Sequence, residues 1–179
     1  MKLIVLDRDG VINHDSDDYI KSPDEWEPID GSLEAIARLN HDGYIVAVAS
    51  NQSGLARGHF GIESLTAMHN KMEEMLAKLG GRVDAIFYCP HGPSDGCDCR
   101  KPKPGLLLQI GQRFNVPLKE VVFIGDSVSD IDTAINANAK AILVRTGKGI
   151  KAEKILQVEN KTSVPVYDDL ASAVTAILQ

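Results

Sequence analysis

Residues 3–11 read Leu3-Ile4-Val5-Leu6-Asp7-Arg8-Asp9-Gly10-Val11, an aliphatic run that ends abruptly in two carboxylates. An apolar run this short, bounded by a turn signal, is a strand buried on both faces. Carboxylates at the end of such a strand destabilise the fold unless a cation meets them there. A divalent metal is the simplest such cation, and a phosphate ester bridged by that metal is the simplest substrate.

Working outward, β-rich apolar runs recur at residues 44–49, 85–88, 121–124, 141–144 and, more weakly, 164–167. Helical spacing fills the gaps between them. Residues 32–40 begin on the cap residue Ser32 and are followed by Gly43. Residues 63–79 place Leu65, Met68, Met72, Met75, Leu76 and Leu79 on one face, most simply a core face, and stop at Gly80-Gly81. Residues 104–114 start with a proline in the first turn, where its missing N–H costs nothing. Residues 130–137 and 170–178 complete the set, while residues 148–154 read as a solvated basic face.

This alternation predicts an α/β fold: a Rossmann-like three-layer parallel sheet with helices on both faces and right-handed connections. Ligands of such sheets bind beyond the carboxyl ends of the strands. The polar groups gather at those ends: Asp7 and Asp9, Ser50-Asn51-Gln52, Cys89, and Gly125-Asp126-Ser127. No repeat or linker interrupts the pattern, so residues 1–179 are read as one domain.

No apolar stretch approaches the length of a membrane helix, and the N-terminus lacks the basic start and apolar core of a secretory signal. The expectation is therefore a soluble, cytoplasmic protein with no membrane partner. A net charge of -6 argues against a nucleic-acid partner, which needs a basic face. An anionic small-molecule ligand must then be held by a few local cations acting against the global field. Low aromatic content, 5%, and the lack of an obvious apolar face point to a monomer.

Four segments now fall in order: Asp7-Arg8-Asp9-Gly10-Val11, Ser50-Asn51-Gln52-Ser53-Gly54, Arg100-Lys101-Pro102-Lys103-Pro104-Gly105 and Gly125-Asp126-Ser127-Val128-Ser129-Asp130. The set resembles the four motifs of the haloacid dehalogenase (HAD) superfamily over essentially the whole chain. The chemistry agrees. Asp7 can attack phosphorus without a deprotonating base, giving an aspartyl phosphate. Asp9 is placed to protonate the leaving alkoxide and then to take a proton from water.

Asp7, Asp9 and Asp126 form the expected Mg²⁺ set, with Asp130, one helical turn after Asp126, behind these ligands or reaching the ion through a water. Ser50 and Asn51 offer donors to the transferring phosphoryl oxygens, and a lysine must neutralise the remaining charge. Lys101 and Lys103 compete for that role; Lys101 matches the family motif and lies two residues from a candidate metal anchor, Cys99. An ester's alkoxide needs an acid whereas a halide does not, so Asp9 favours phosphatase or phosphomutase over dehalogenase. The spacings from Gly10 to Ser50 and from Gly54 to Lys101 are already filled by predicted elements. No large cap domain fits, and an open site favours hydrolysis.

Cys89-Pro90-His91, then Cys97-Asp98-Cys99, gathers the chain's three cysteines and one histidine into eleven residues. An odd set of thiols in one loop is a metal site rather than a disulfide framework. Three thiolates and an imidazole complete a tetrahedral Zn²⁺ shell with no open position, which makes the zinc structural. This loop, following Ser-Asn-Gln-Ser-Gly-x-x-Arg-Gly, closely resembles that of the D-glycero-D-manno-heptose 1,7-bisphosphate 7-phosphatase family, and is similar to the histidinol-phosphate phosphatase domain.

The resemblance implies that Arg100 recognises substrate and Lys101 the transferring phosphate. It also implies sugar contacts from Asp15, Ser16, Asp17, Asp18, Ser50, Asn51, Gln52 and Ser53, with Ser127 close by. A second phosphate on the substrate suits the planar fork of Arg100. The alternatives are a histidinol-phosphate phosphatase and, from another class, a catalytically idle zinc-stabilised scaffold. His14, His41, His59 and His69 have no nucleophile beside them in sequence and read as surface or satisfied partly buried residues; Trp26 reads as a packed loop aromatic.

Overall fold

The computed structural model describes residues 1–179. Six parallel strands form a single sheet: β1 (Lys2–Leu6), β2 (Tyr44–Asn51), β3 (Ala85–Cys89), β4 (Val122–Gly125), β5 (Lys140–Val144) and β6 (Val166–Tyr167), in the order β3-β2-β1-β4-β5-β6. Six helices connect or follow them: α1 (Ser32–His41), α2 (Ile62–Lys78), α3 (Gly105–Phe114), α4 (Val128–Asn136), α5 (Gly149–Val158) and α6 (Leu170–Ile177). The expected α/β architecture is therefore present.

Alternation along the central strands explains why both faces need cover. Ile4 and Leu6 of β1, with Val46 and Val48 of β2, pack under Leu33 and Ile36 of α1, Leu65 and Met68 of α2, and Leu170 of α6. Leu3 and Val5, with Ala47 and Ala49, face the other way, under Leu106 and Ile110 of α3 and Ala134 of α4. A one-residue slip would exchange the two layers, so the register is fixed: Leu6 lies beside Val48 on one side and Ile124 on the other. Trp26 is fully buried in the first layer.

Strand order reverses between β1 and β4, which opens a crevice at their carboxyl ends. Asp7 and Asp126 are the first residues beyond β1 and β4 respectively, and the Asp7 N–H donates to the Ile124 carbonyl at 2.9 Å. No inserted cap stands over this crevice; β1 runs to α1, and β2 to α2, through loops alone.

Lys148, Lys151 and Lys154 are exposed, as the basic-face reading of residues 148–154 expects, but α5 also has a buried face. Its buried residues are Gly149, Ala152 and Leu156, two of them very small, while the larger Ile150 and Val158 are exposed. The larger apolar side chains therefore do not mark the buried face. Ala152 and Leu156 close a small third core over Ile131 and Leu143. Strand β6 covers only half of the expected run of residues 164–167.

Candidate active site

The carboxyl ends of β1, β2 and β4 border a polar cleft of about 400 Å³, lined by 19 residues of which two are hydrophobic. At its floor lies a buried cluster. The Lys101 side chain is 2% exposed, and its Nζ sits 2.9 Å from Asp7 Oδ1, 2.7 Å from Asp130 Oδ1 and 3.0 Å from the Ala49 carbonyl. Lys103 is half exposed and lies 3.9 Å from Asp98. The lysine in the cleft is thus Lys101.

Asn51 holds it there from the main chain. The Lys101 N–H donates to Asn51 Oδ1 at 3.0 Å, and Asn51 Nδ2 donates to the Lys101 carbonyl at 3.2 Å. This side chain is a clamp, not a free donor to a ligand. Ser50 is buried in the lining and its hydroxyl accepts from Gln52 Nε2 at 2.8 Å.

Asp130, expected behind the metal ligands, has two tasks in the structure. Its Oδ2 accepts from Ser127 Oγ at 2.6 Å and the Ser127 N–H at 3.1 Å, while the Ser127 hydroxyl accepts from the Asp130 N–H at 3.2 Å. This capping box starts α4. Its other oxygen faces Lys101. Asp126 is cradled by two glycines: a methyl on Gly10 or Gly147 would fall 2.0 or 2.1 Å from its Oδ2, and both carry positive φ. The Lys148 N–H donates to that same oxygen at 2.8 Å.

Asp7, Asp126 and Asp130 bring carboxylate oxygens within 4.8 Å of one another, all buried. One lysine cannot balance three carboxylates. Burial and the neighbouring Asp130 push Asp7 well above the ordinary carboxylate range despite Lys101, and Asp126 is pushed up to about 7 by burial and Asp130. Burial alone would lower Lys101, yet Asp130 and Asp7 raise it above its ordinary value, so it is a cation. The surplus of negative charge fits an oxygen-seeking divalent cation.

A pH dependence follows for the metal-free chain. Asp7 and Asp126 bind protons more tightly folded than unfolded, so their contribution is fully present below about pH 4 and is lost as pH rises through about 7. Mg²⁺ needs the deprotonated forms. Thermal unfolding should therefore show a larger Mg²⁺-induced rise in Tm at pH 8 than at pH 5; equal rises at the two values would contradict this charge balance.

Asp9 stands apart from the cluster. The metal-ligand expectation is not met by its carboxylate, which turns instead to Arg8 and to two amides. Oδ1 receives Arg8 Nε at 2.9 Å and Asn13 Nδ2 at 2.8 Å, and lies 2.8 Å from the second Arg8 nitrogen; Oδ2 receives Gln52 Nε2 at 3.2 Å. Burial would raise Asp9, but Arg8, Asn13 and Gln52 outweigh it and hold the group below its ordinary value. Oδ1 is thus committed to several donors, and Oδ2 to one. Asp15, Ser16, Asp17, Gln52, Ser53, Arg100 and Ser127 all line the cleft; Asp18 does not.

Sequence reasoning missed two lining groups: Tyr19, held at φ 66 with its ring 4.8 Å from His59, and Lys148, 3.2 Å from Asp15. Arg57, which the sequence leaves open between an extension of the cationic surface and a brace for the loop after the second strand, lines the cleft with its guanidinium 6.0 Å from the Tyr19 ring. The abundance of surface cations hid Lys148, and only the tertiary fold brings it to the mouth. Arg145 is tied up by Glu153 and Asp168.

The cysteine loop closes on itself beside the cleft. Cys89 Sγ lies 3.0 Å from Cys99 Sγ and 3.6 Å from Cys97 Sγ, and His91 Nδ1 lies 3.3 Å from Cys99 Sγ and 3.5 Å from Cys89 Sγ. None of the cysteines is disulfide-bonded. Four soft donors at these separations suit a tetrahedral ion. Burial and Cys99 push the Cys89 thiol up to about 12, a cost that a bound cation would remove. Arg100, the next residue, donates to the His91 carbonyl at 3.2 Å, so the loop also orients that guanidinium.

The family model described as HAD-hyrolase-like matches residues 98–173. A D-glycero-beta-D-manno-heptose-1,7-bisphosphate 7-phosphatase of Pseudomonas aeruginosa is 52% identical over 177 residues, covering 99% of this chain and 98% of the relative. The chain belongs to the heptose-1,7-bisphosphate 7-phosphatase family of HAD-like hydrolases. Its fold agrees with that of two members of known structure. The D,D-heptose 1,7-bisphosphate phosphatase of Bordetella bronchiseptica, solved with magnesium and phosphate, is 51% identical with a TM-score of 0.96, covering 100% of this chain and 99% of the other. The Burkholderia thailandensis phosphatase is 39% identical with a TM-score of 0.75, covering 100% and 99% respectively. Like these family members, the chain is a phosphomonoester hydrolase.

Proposed function

We propose that the chain removes the C7 phosphate of D-glycero-D-manno-heptose 1,7-bisphosphate to leave heptose 1-phosphate, as a step in making nucleotide-activated heptose. The β-anomer is taken as substrate, in line with the names of the relatives. The observation that carries this reading is full-length identity of 52% to such a phosphatase, combined with a polar cleft that holds Asp7, Lys101 and Arg100 together.

In the proposed reaction Asp7 attacks phosphorus, with Lys101 2.9 Å from its carboxylate and in place to offset the phosphoryl charge. Asp9 gives a proton to the C7 alkoxide as the P–O bond breaks, then takes one from the water that hydrolyses the aspartyl phosphate. The resting site already holds Asp9 as the carboxylate that the second half needs. An entering phosphate dianion opposes that charge and favours the protonated form that the first half consumes.

Asp7 and Asp126, with Asp130 behind them, would hold Mg²⁺, which supplies charge neutralisation between nucleophile and phosphate. Cys89, His91, Cys97 and Cys99 would hold a structural Zn²⁺ that fixes Arg100 at the mouth, where its fork grips the phosphate that stays. Asp15, Ser16, Asp17, Ser53 and Ser127 offer hydrogen bonds to sugar hydroxyls, and Ser50, Asn51 and Gln52 line the same wall. Every group in this scheme comes from one chain, so a monomer suffices. The unpaired thiols suit the reducing cytoplasm.

The test is the ratio of kcat/KM for heptose 1,7-bisphosphate and histidinol phosphate with Mg²⁺ present. A bisphosphate preference of orders of magnitude, reduced selectively by Arg100→Ala, supports the reading. A preference for histidinol phosphate would overturn the substrate while leaving the phosphatase chemistry intact.

A further inference from the structure

Arg8 is 0% exposed, an arginine sealed beneath the cleft. Its Nε and one terminal nitrogen lie 2.9 and 2.8 Å from Asp9 Oδ1, and that terminal nitrogen lies 3.5 Å from Gln52 Oε1. The other terminal nitrogen lies 3.3 Å from Nε2 of His69, a residue that α2 carries across from 61 positions away. A guanidinium can only donate. His69 must therefore accept through Nε2 and keep its proton on Nδ1. Burial, and then the Arg8 charge, hold His69 at about 4, so it is neutral at working pH and able to accept.

A buried ion pair is seldom more stable than apolar side chains of equal volume, yet removing one partner of a buried network is costly. Fold stability alone gives little reason to place Arg8 and His69 in this core. What the pair accomplishes is geometric. Held at one end by Asp9 and at the other by His69, the guanidinium plane cannot rotate, and Asp9 Oδ1 is pinned by two of its nitrogens. Oδ2 is then left facing a single amide donor, Gln52 Nε2.

We infer that His69, acting through Arg8, is a positioning residue for the acid–base group Asp9, fixing the carboxyl so that its free oxygen meets the leaving oxygen of the ester. The inference rests on the acid–base role proposed for Asp9. It makes His69 matter in proportion to how badly the leaving group needs a proton. A sugar alkoxide needs one, whereas p-nitrophenolate leaves well without it.

The experiment measures kcat/KM of the wild type, His69→Leu, His69→Asn and His69→Gln on heptose 1,7-bisphosphate and on p-nitrophenyl phosphate, with Mg²⁺ and with folding checked by thermal unfolding. Leu and Asn remove an acceptor at the position of Nε2; Gln presents an amide oxygen there. The expected result is a sugar-to-aryl ratio at least about tenfold below wild type in His69→Leu, a part of the roughly 10²–10⁴ a positioned acid contributes, and restored by His69→Gln. Should His69→Leu fail to fold, His69→Asn is read in the same way. Equal losses on both substrates, or an unchanged ratio, would overturn the inference. Wild-type turnover of the bisphosphate tests the substrate and the variant-to-wild-type change tests His69, so the two fail separately. If the wild type rejects the bisphosphate, histidinol phosphate, also an alkyl ester, takes its place in the ratio.

Discussion

Asp7→Asn should abolish turnover and stabilise the metal-free protein at the same time. An amide cannot attack phosphorus, and loss of a nucleophile costs roughly four orders of magnitude or more in kcat. The same change removes a carboxyl that burial and Asp130 hold well above its ordinary range. A neutral amide at that place relieves the repulsion, so Tm in the presence of a chelator should rise above wild type at pH 8. Phosphate release with Mg²⁺ and a pair of melting curves are sufficient to check both halves. Turnover within tenfold of wild type would remove Asp7 as nucleophile, and a lower metal-free Tm would refute the account of the charge cluster.

Lys101→Met carries the second large effect, with the opposite sign for stability. Lys101 is the cation set between Asp7 and Asp130 in a buried cluster. Deleting one partner of a buried network costs about 3–5 kcal/mol, and here the lower end applies because Asp7 can take a proton. The loss, read by denaturant unfolding without metal, should be larger at pH 8 than at pH 5, and Mg²⁺ should recover part of it. Turnover should fall about 10²–10³-fold, the usual effect of removing one donor to a developing oxyanion. Lys103→Met, half exposed and outside the cluster, serves as control and should match wild type. If Lys103→Met is instead the inactive variant, the assignment of the phosphate-binding lysine fails.

The parts of this molecule that follow from local chemistry were legible in the sequence. Aliphatic runs such as residues 3–6 can be covered only from both sides, and that forces helices onto both faces of a parallel sheet. The carboxyl-end rule then puts Asp7 and Asp126 in one crevice. The thiol and imidazole loop was legible for a similar reason: four metal donors crowded into eleven residues must meet.

What stayed hidden depends on distances that sequence spacing does not encode. His69 meets Arg8 across 61 residues, and neither neighbourhood hints at the other. Arg8 sits between two carboxylates, where a solvated arginine would look the same on paper; only burial reveals it as a structural cation. Asn51 reads as a ligand donor because such groups end strands at binding sites, yet both ends of its amide are taken by the Lys101 main chain. Helix α5 was obscured because its core contacts are made by Gly149 and Ala152, while Ile150 and Val158 point outward. The commitment of Asp9 to Arg8, Asn13 and Gln52 likewise needed the folded chain. It separates Asp9 from the three carboxyls that cluster beside Lys101.

The most direct test of the central claim is to follow heptose 1,7-bisphosphate by ³¹P NMR during turnover by the purified protein with Mg²⁺. Cleavage at the primary C7 ester should leave the anomeric phosphate signal in place, with heptose 1-phosphate and inorganic phosphate as the products. Loss of the anomeric signal with the C7 ester retained, or no release of phosphate at all, would contradict the account.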